Sequence, residues 1–147
     1  MLNVKQKGVS TELQCLAEFA KLGIMISIPY GDYGRYDFIA DINNKLYRIQ
    51  CKTSSLQTEG VYTFSCRSTT GNTAKVHARS YDNTQIDYFA TMVDNNCYLI
   101  PVDETGGTSK TLRFLAPKNG QKEGISFAKD YELQIQLNKL LEKENIG

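Results

Sequence analysis

Asp37, Gln50 and Lys52 are spaced so that simple strand geometry brings them together. In the run Lys45 to Thr53, alternation puts Leu46, Arg48, Gln50 and Lys52 on one face of a strand and Tyr47, Ile49, Cys51 and Thr53 on the other. One strand therefore presents an amide and an ammonium side by side. The run before it, Tyr36 to Ile42, carries Asp37, and Asn43-Asn44 between the two runs tolerates the positive φ of a tight hairpin. An antiparallel hairpin centred there lays Asp37 against Gln50 and Lys52. That set suits phosphodiester cleavage, which needs a divalent cation on oxygen ligands, a water as nucleophile and positive charge for the phosphorane. Asp37 suits the metal, and Gln50 and the Cys51 backbone carbonyl offer neutral oxygens. Lys52 orients the water or stabilises the transition-state charge, and Glu12 upstream is the candidate for a further carboxylate. A cross-strand Asp37–Lys52 ion pair is the simpler alternative, but it leaves Gln50 unexplained.

The elements around these residues follow from periodicity and punctuation. Thr11 and Gln14 resemble a capping box, and Leu13, Leu16, Ala17 and Ala20 recur at helical spacing until Gly23, so a helix carries Glu12 near its start. Glu12 there doubles as an acid favoured by the helix dipole. Ile24 to Ile28 reads as a short strand ended by Pro29, and Gly31 to Gly34 as a turn. Val61 to Cys66 alternates as a fourth strand. Tyr88 to Val93 and Cys97 to Val102 form a hairpin around Asn95-Asn96, Thr111 to Phe114 adds an edge strand, and Ile125 to Glu144 is helical with a stripe of Phe127, Ala128, Tyr131, Ile135 and Leu141. Arg67 to Asp82 shows no usable period, and a polar stretch of that length is usually functional or mobile.

The order of a helix with Glu12, a strand, a strand with Tyr36-Asp37 and a strand with Gln50-Cys51-Lys52 resembles the D…(D/E)xK signature of the PD-(D/E)XK nuclease superfamily, with Gln in place of the usual acid. The wider string KGxxxE (Lys7, Gly8, Glu12), PYGDYGRYDFIAD, RIQCKTS, IDYFA, YLIPV and APKNGQ is similar to a small subfamily of intron-encoded homing endonucleases and related phage or bacterial nucleases. The resemblance implies an α/β (α+β) restriction-endonuclease-like core, a central mixed β-sheet flanked by helices. It further implies a Mg²⁺-dependent endonuclease, Mn²⁺ being a substitute, that cuts a long specific site in double-stranded DNA. Glu12, Asp37, Gln50 and Lys52 are then catalytic, with the metal on Asp37, Glu12 and the Cys51 carbonyl. Cutting both strands needs two such sites, so a homodimer or a tetramer is expected. The same residues also suit a Holliday-junction resolvase, and Gln50 alone suits a DNA-binding module that does not cleave.

Composition narrows the class further. A chain of 147 residues, 41% hydrophobic and 22% charged, suits one domain spanning 1–147. The cysteines Cys15, Cys51, Cys66 and Cys97 stand far apart and His77 is the sole histidine, which excludes a zinc site of recognisable spacing and points to reduced thiols. No apolar run approaches a membrane span or a signal h-region, so a soluble cytoplasmic protein without a small-molecule cofactor is expected.

The net charge of +1 is unevenly distributed. From Gly60 to Tyr81 the only charged residues are Arg67, Lys75 and Arg79, and from Thr105 to Lys122 they are Lys110, Arg113, Lys118 and Lys122. Acid-free stretches rich in small polar residues suit a phosphate backbone, although solvated loops share this composition. Candidate DNA contacts are Lys7, Arg35, Arg67, Lys75, His77, Arg79, Lys110, Arg113 and Lys118. Tyr33 and Tyr81, also in polar stretches, could stack on a base or sugar.

Overall fold

The computed structural model describes residues 1–31, 33–70 and 77–146, leaving out the side chains of 69, 70, 77, 78 and 144–146. Helix α1 (Val4–Lys21) opens the chain. Its capping box is Asn3 with Gln6, one bonding back to the other's backbone, and not Thr11 with Gln14 as the sequence pattern indicates. The helix begins two turns earlier, so Thr11 falls in its interior, where it is buried. The apolar stripe shifts accordingly. Thr11, Cys15 and Phe19 face the protein, four residues apart, whereas Leu13, Ala17 and Ala20 face solvent.

Five strands form the central sheet in the order β1-β2-β3-β8-β9. They are β1 (Met25–Ser27), β2 (Phe38–Ile42), β3 (Lys45–Cys51), β8 (Tyr88–Val93) and β9 (Asn96–Pro101). Only β3 and β8 pair in parallel, which makes the sheet mixed. Asn43 and Asn44 take φ of 53° and 66°, the left-handed pair a two-residue hairpin turn requires. The β8–β9 turn uses Asp94 and Asn95, one residue earlier than the asparagine pair indicates, because Val93 pairs directly with Asn96.

The crossover from β3 to β8 contains further strands. β4 (Ser55–Thr58) and β5 (Val61–Ser65) join β10 (Ser109–Arg113) in a three-stranded sheet of order β10-β5-β4. β6 (Arg67–Thr70) and β7 (His77–Ser80) pair as a ribbon where no period is legible in the sequence.

Two cores flank the central sheet. Cys15 and Phe19 of α1 pack with Phe38, Ile49, Ala90 and Leu99, joined by Leu133, Leu137 and Leu140 of helix α2 (Leu133–Ile146). On the other side Phe64 and Leu112 of the small sheet meet Phe89, Ile100 and Tyr131. The expected helix from Ile125 begins only at Leu133. A short 3₁₀ turn, Ala128–Tyr131, precedes it, and Glu132 is extended (φ −55°, ψ 142°). That break resets the register, so Ile135 and Leu141 are exposed and Leu137 and Leu140 take the core.

Candidate active site

Asp37 lies one residue before β2. Continuing the Phe38–Ile49 register by one pair sets it opposite Gln50, on the face away from Ile49 and Phe38. Its N–H donates to the Ile49 carbonyl (2.8 Å) and its Oδ2 accepts the Cys51 N–H (2.8 Å). The backbone of β3 thus holds both the main chain and the carboxylate of Asp37, and among the described residues Oδ1 is left available. Lys52 follows where β3 ends. Its N–H donates to Ala90 of β8, and its Nζ donates to the Arg67 carbonyl (2.8 Å) at the start of the β6–β7 ribbon. Lys52 makes no ion pair with Asp37, so the cross-strand salt bridge is excluded among the described residues.

The electrostatics show how closely these groups are gathered. Burial pushes the Asp37 carboxyl above the ordinary aspartate range, against the pull of the Cys51 N–H and the Lys52 charge. Burial, followed by the Asp37 charge, also raises Glu12. Burial lowers the Lys52 ammonium, Asp37 opposes that, and Arg35 adds to it. Glu12 comes from α1, tied to the end of β3 by Thr11 Oγ1, 3.1 Å from Thr53 Oγ1. Two adjacent carboxyls that both resist ionisation form a site that an added cation relieves.

The donor chemistry fits a hard divalent cation. Asp37, Glu12, the Gln50 amide and the Cys51 carbonyl all offer oxygen. The described residues gather no cluster of three His, Cys, Asp or Glu side chains. Ligands beyond the two carboxylates must therefore be neutral oxygens. Gln50 is half-buried, and its side-chain amide has no hydrogen-bond partner among the described residues. Cys51 turns its side chain into the core beside Cys15 and Cys97, and all four cysteines are free thiols.

A model for a family described as PD-(D/E)XK endonuclease matches residues 2–134. The chain belongs to the PD-(D/E)XK endonuclease family. Nucleases of this family take DNA and generally use divalent metal ions. Among solved structures the chain is similar to I-Ssp6803I, a bacterial homing endonuclease, with a TM-score of 0.74 at 21% identity over 97% of this chain and 99% of that one. The likeness establishes the restriction-endonuclease-like fold. No curated protein matches the chain.

Around the PD-(D/E)XK residues, the candidate DNA contacts separate into two groups. Arg35 is held within the protein: it donates to Ser68 Oγ (2.6 Å) and the Ser80 carbonyl (2.7 Å), and its Cζ lies 3.9 Å from the Tyr81 ring centroid. Lys110 shares the core-facing side of β10 and donates to the Glu104 carbonyl (3.0 Å). By contrast Lys7, Arg79 and Lys118 are exposed, while Arg67 and Arg113, like Arg35, each keep a buried Nε without a partner among the described residues. Lys75 lies outside the described residues, and His77 is described only as backbone in β7.

The sequence suggests Tyr81 only as a residue that could stack on a base or sugar, whereas its ring lies under Arg35 and 5.2 Å from Lys52 Nζ, edge-on to Phe89. Only the return of the β6–β7 ribbon brings it there. Arg48 shares the Gln50 and Lys52 face but is occupied by Asp87 (Nε to Oδ2, 3.1 Å) and the Asn83 and Thr84 carbonyls, fixing the loop that leads into β8.

Proposed function

We propose that the chain cuts double-stranded DNA at a specific site by hydrolysing phosphodiester bonds, as an intron-encoded homing endonuclease. The reading rests on one observation above the others: a carboxylate anchored to the Cys51 N–H, with Glu12 and Lys52 beside it, at the end of β3 where the family motif falls. The similarity to a bacterial homing endonuclease supports the homing assignment.

Asp37 and Glu12 would hold Mg²⁺, or Mn²⁺ in its place, with the Cys51 carbonyl and Gln50 as neutral ligands. Such an ion stabilises charge on the phosphoryl oxygens and lowers the pKa of a water. Gln50 keeps an oxygen ligand while removing one negative charge, so the site carries less charge than one with the usual acid. Asp37, its carboxylate fixed by the Cys51 N–H, would hold such an ion on the face that carries Lys52. Lys52 brings its ammonium to the phosphate, stabilising the charge that develops there. Its contact with the Arg67 carbonyl keeps it directed out of the core. With one site per chain, cutting both strands calls for a homodimer or a tetramer.

Incubating a plasmid library with and without Mg²⁺ tests the proposal. Discrete double-strand cuts that need the metal are expected. Cuts confined to four-way junctions would reassign the activity, and intact but bound DNA would remove it.

A further inference from the structure

The small sheet β10-β5-β4 has two unlike faces. Tyr62, Phe64 and Leu112 turn toward the second core. On the opposite face Thr63 sits across from both Ser55 and Thr111, and Ser65 across from Ser109. These five residues and Gln57 line a groove of about 430 Å³ in which no lining residue is charged. Gln57 enters through a register shift: β4 places it between Leu56 and Thr58, where β5 has no matching residue. Bulges of this kind re-aim a side chain, here the single amide of the groove.

The groove borders the candidate active site. Thr53, next to Lys52, forms part of its wall. The Arg67 carbonyl accepts both Lys52 Nζ (2.8 Å) and Ser65 Oγ (3.3 Å), one contact from the catalytic side and one from the groove side.

Exposed edge strands normally carry charges that block pairing with other chains. β4 is an edge strand, Ser-Leu-Gln-Thr, exposed along its length and without a charge. Its occupant must be read by groups that both donate and accept. The edges of DNA bases meet that requirement: hydroxyls bond either kind of group, a Thr methyl packs on the thymine methyl, and a Gln amide pairs bidentately with adenine. Width agrees as well. Three strands spaced about 4.8 Å apart measure about 10 Å across, and the major groove of DNA is about 12 Å wide. Phosphates need cations, and Arg113 lies on this same face at the end of β10, beyond the uncharged floor.

We propose that the outer face of β4, β5 and β10 lies in the major groove beside the scissile phosphate and reads bases through Gln57, Thr63, Ser65 and Thr111, an inference that rests on the endonuclease reading. Its test uses a randomised duplex pool. Wild-type protein and the variants Gln57→Ala, Thr63→Val and Thr111→Val capture duplexes in Ca²⁺ and cut them in Mg²⁺, with sequencing of both products and a melting curve for each variant. Thr→Val keeps the side chain's shape, so folding is retained. In the wild type, the position read by Gln57 selects adenine. Each variant loses preference by about tenfold at one or two adjacent positions on one side of the cut. An unchanged consensus in all three variants overturns the proposal. Uniformly weaker capture with the consensus intact makes the face a backbone clamp and overturns base reading. Loss of a dimer on sedimentation, again with the consensus intact, assigns the face to a second copy of the chain. If the wild type neither captures nor cuts duplex, the endonuclease reading fails first and the groove assignment falls with it.

Discussion

The two faces of β3 are both largely withdrawn from water, but by different physics. On one, Tyr47, Ile49 and Cys51 pack into the core of Cys15, Phe19 and Phe38, and burial stabilises mainly through apolar contact. On the other, Arg48, Gln50 and Lys52 are half-buried polar groups, and the two cations depend on named acceptors: Asp87 and two carbonyls for Arg48, the Arg67 carbonyl for Lys52. The apolar face tolerates any neighbour of the right volume. The polar face works only in one arrangement, because a buried charge without its partner is costly. One strand therefore supports the fold with its odd residues and presents the candidate site with its even ones.

Substitutions that respect this division should separate activity from stability. Asp37→Asn and Lys52→Ala, on the polar side, are expected to lower the cleavage rate by at least about 10³-fold with the melting transition kept. A well-folded Asp37→Asn protein that cuts near normally would remove the assignment. Ile49→Ala, one residue from Gln50 but facing α1, should cost about 2–5 kcal/mol in urea unfolding while the remaining folded protein still cuts. If Ile49→Ala abolishes cutting at full stability, the two faces are not independent.

Gln50 tests the polar face more finely. Gln50→Ala should slow cleavage on the order of 10²-fold, the scale of one lost preorganised contact, whereas Gln50→Glu keeps an oxygen and should retain more activity. Equal rates for Gln50→Ala and wild type would place the residue outside the site.

A smaller effect concerns pH in metal-free protein. Folded Asp37 and Glu12 hold protons above the pH range where unfolded carboxyls, with ordinary values of 3.8 and 4.5, release them. The folded state binds more protons there, so in EDTA stability rises as pH falls from neutral into that window, and the gain is complete below the unfolded values. Melting temperature against pH should flatten in Asp37→Asn, and parallel curves for the two proteins would contradict the burial of Asp37. The smallest expected change is at Arg79, exposed on β7. Arg79→Ala should lower the slope of log affinity against log salt by about one unit, measured in Ca²⁺, with the melting temperature unchanged. An unaltered slope moves the phosphate track off this ribbon.

Much of this division was readable from residue order. Alternation along Lys45 to Thr53 put Gln50 and Lys52 on one face, and Asn43-Asn44 set the hairpin that brings Asp37 opposite them, because strand period and turn chemistry are local properties. Local pattern misplaces the helix faces for the same reason. A capping pattern at Thr11 competes with a better one at Asn3, and the extended Glu132 resets a periodicity that looks continuous from Ile125.

By itself, then, the sequence determined the motif, its hairpin and the family, all carried by residues close along the chain. Only the tertiary structure decided that Lys52 bonds the Arg67 carbonyl instead of Asp37, that Tyr81 lies under Arg35, and that Ser55, Thr63 and Thr111 share one uncharged groove. Those contacts join segments 15 to 56 residues apart (52 to 67, 35 to 81, 55 to 111), whose meeting depends on sheet order and crossover path, which no local period encodes.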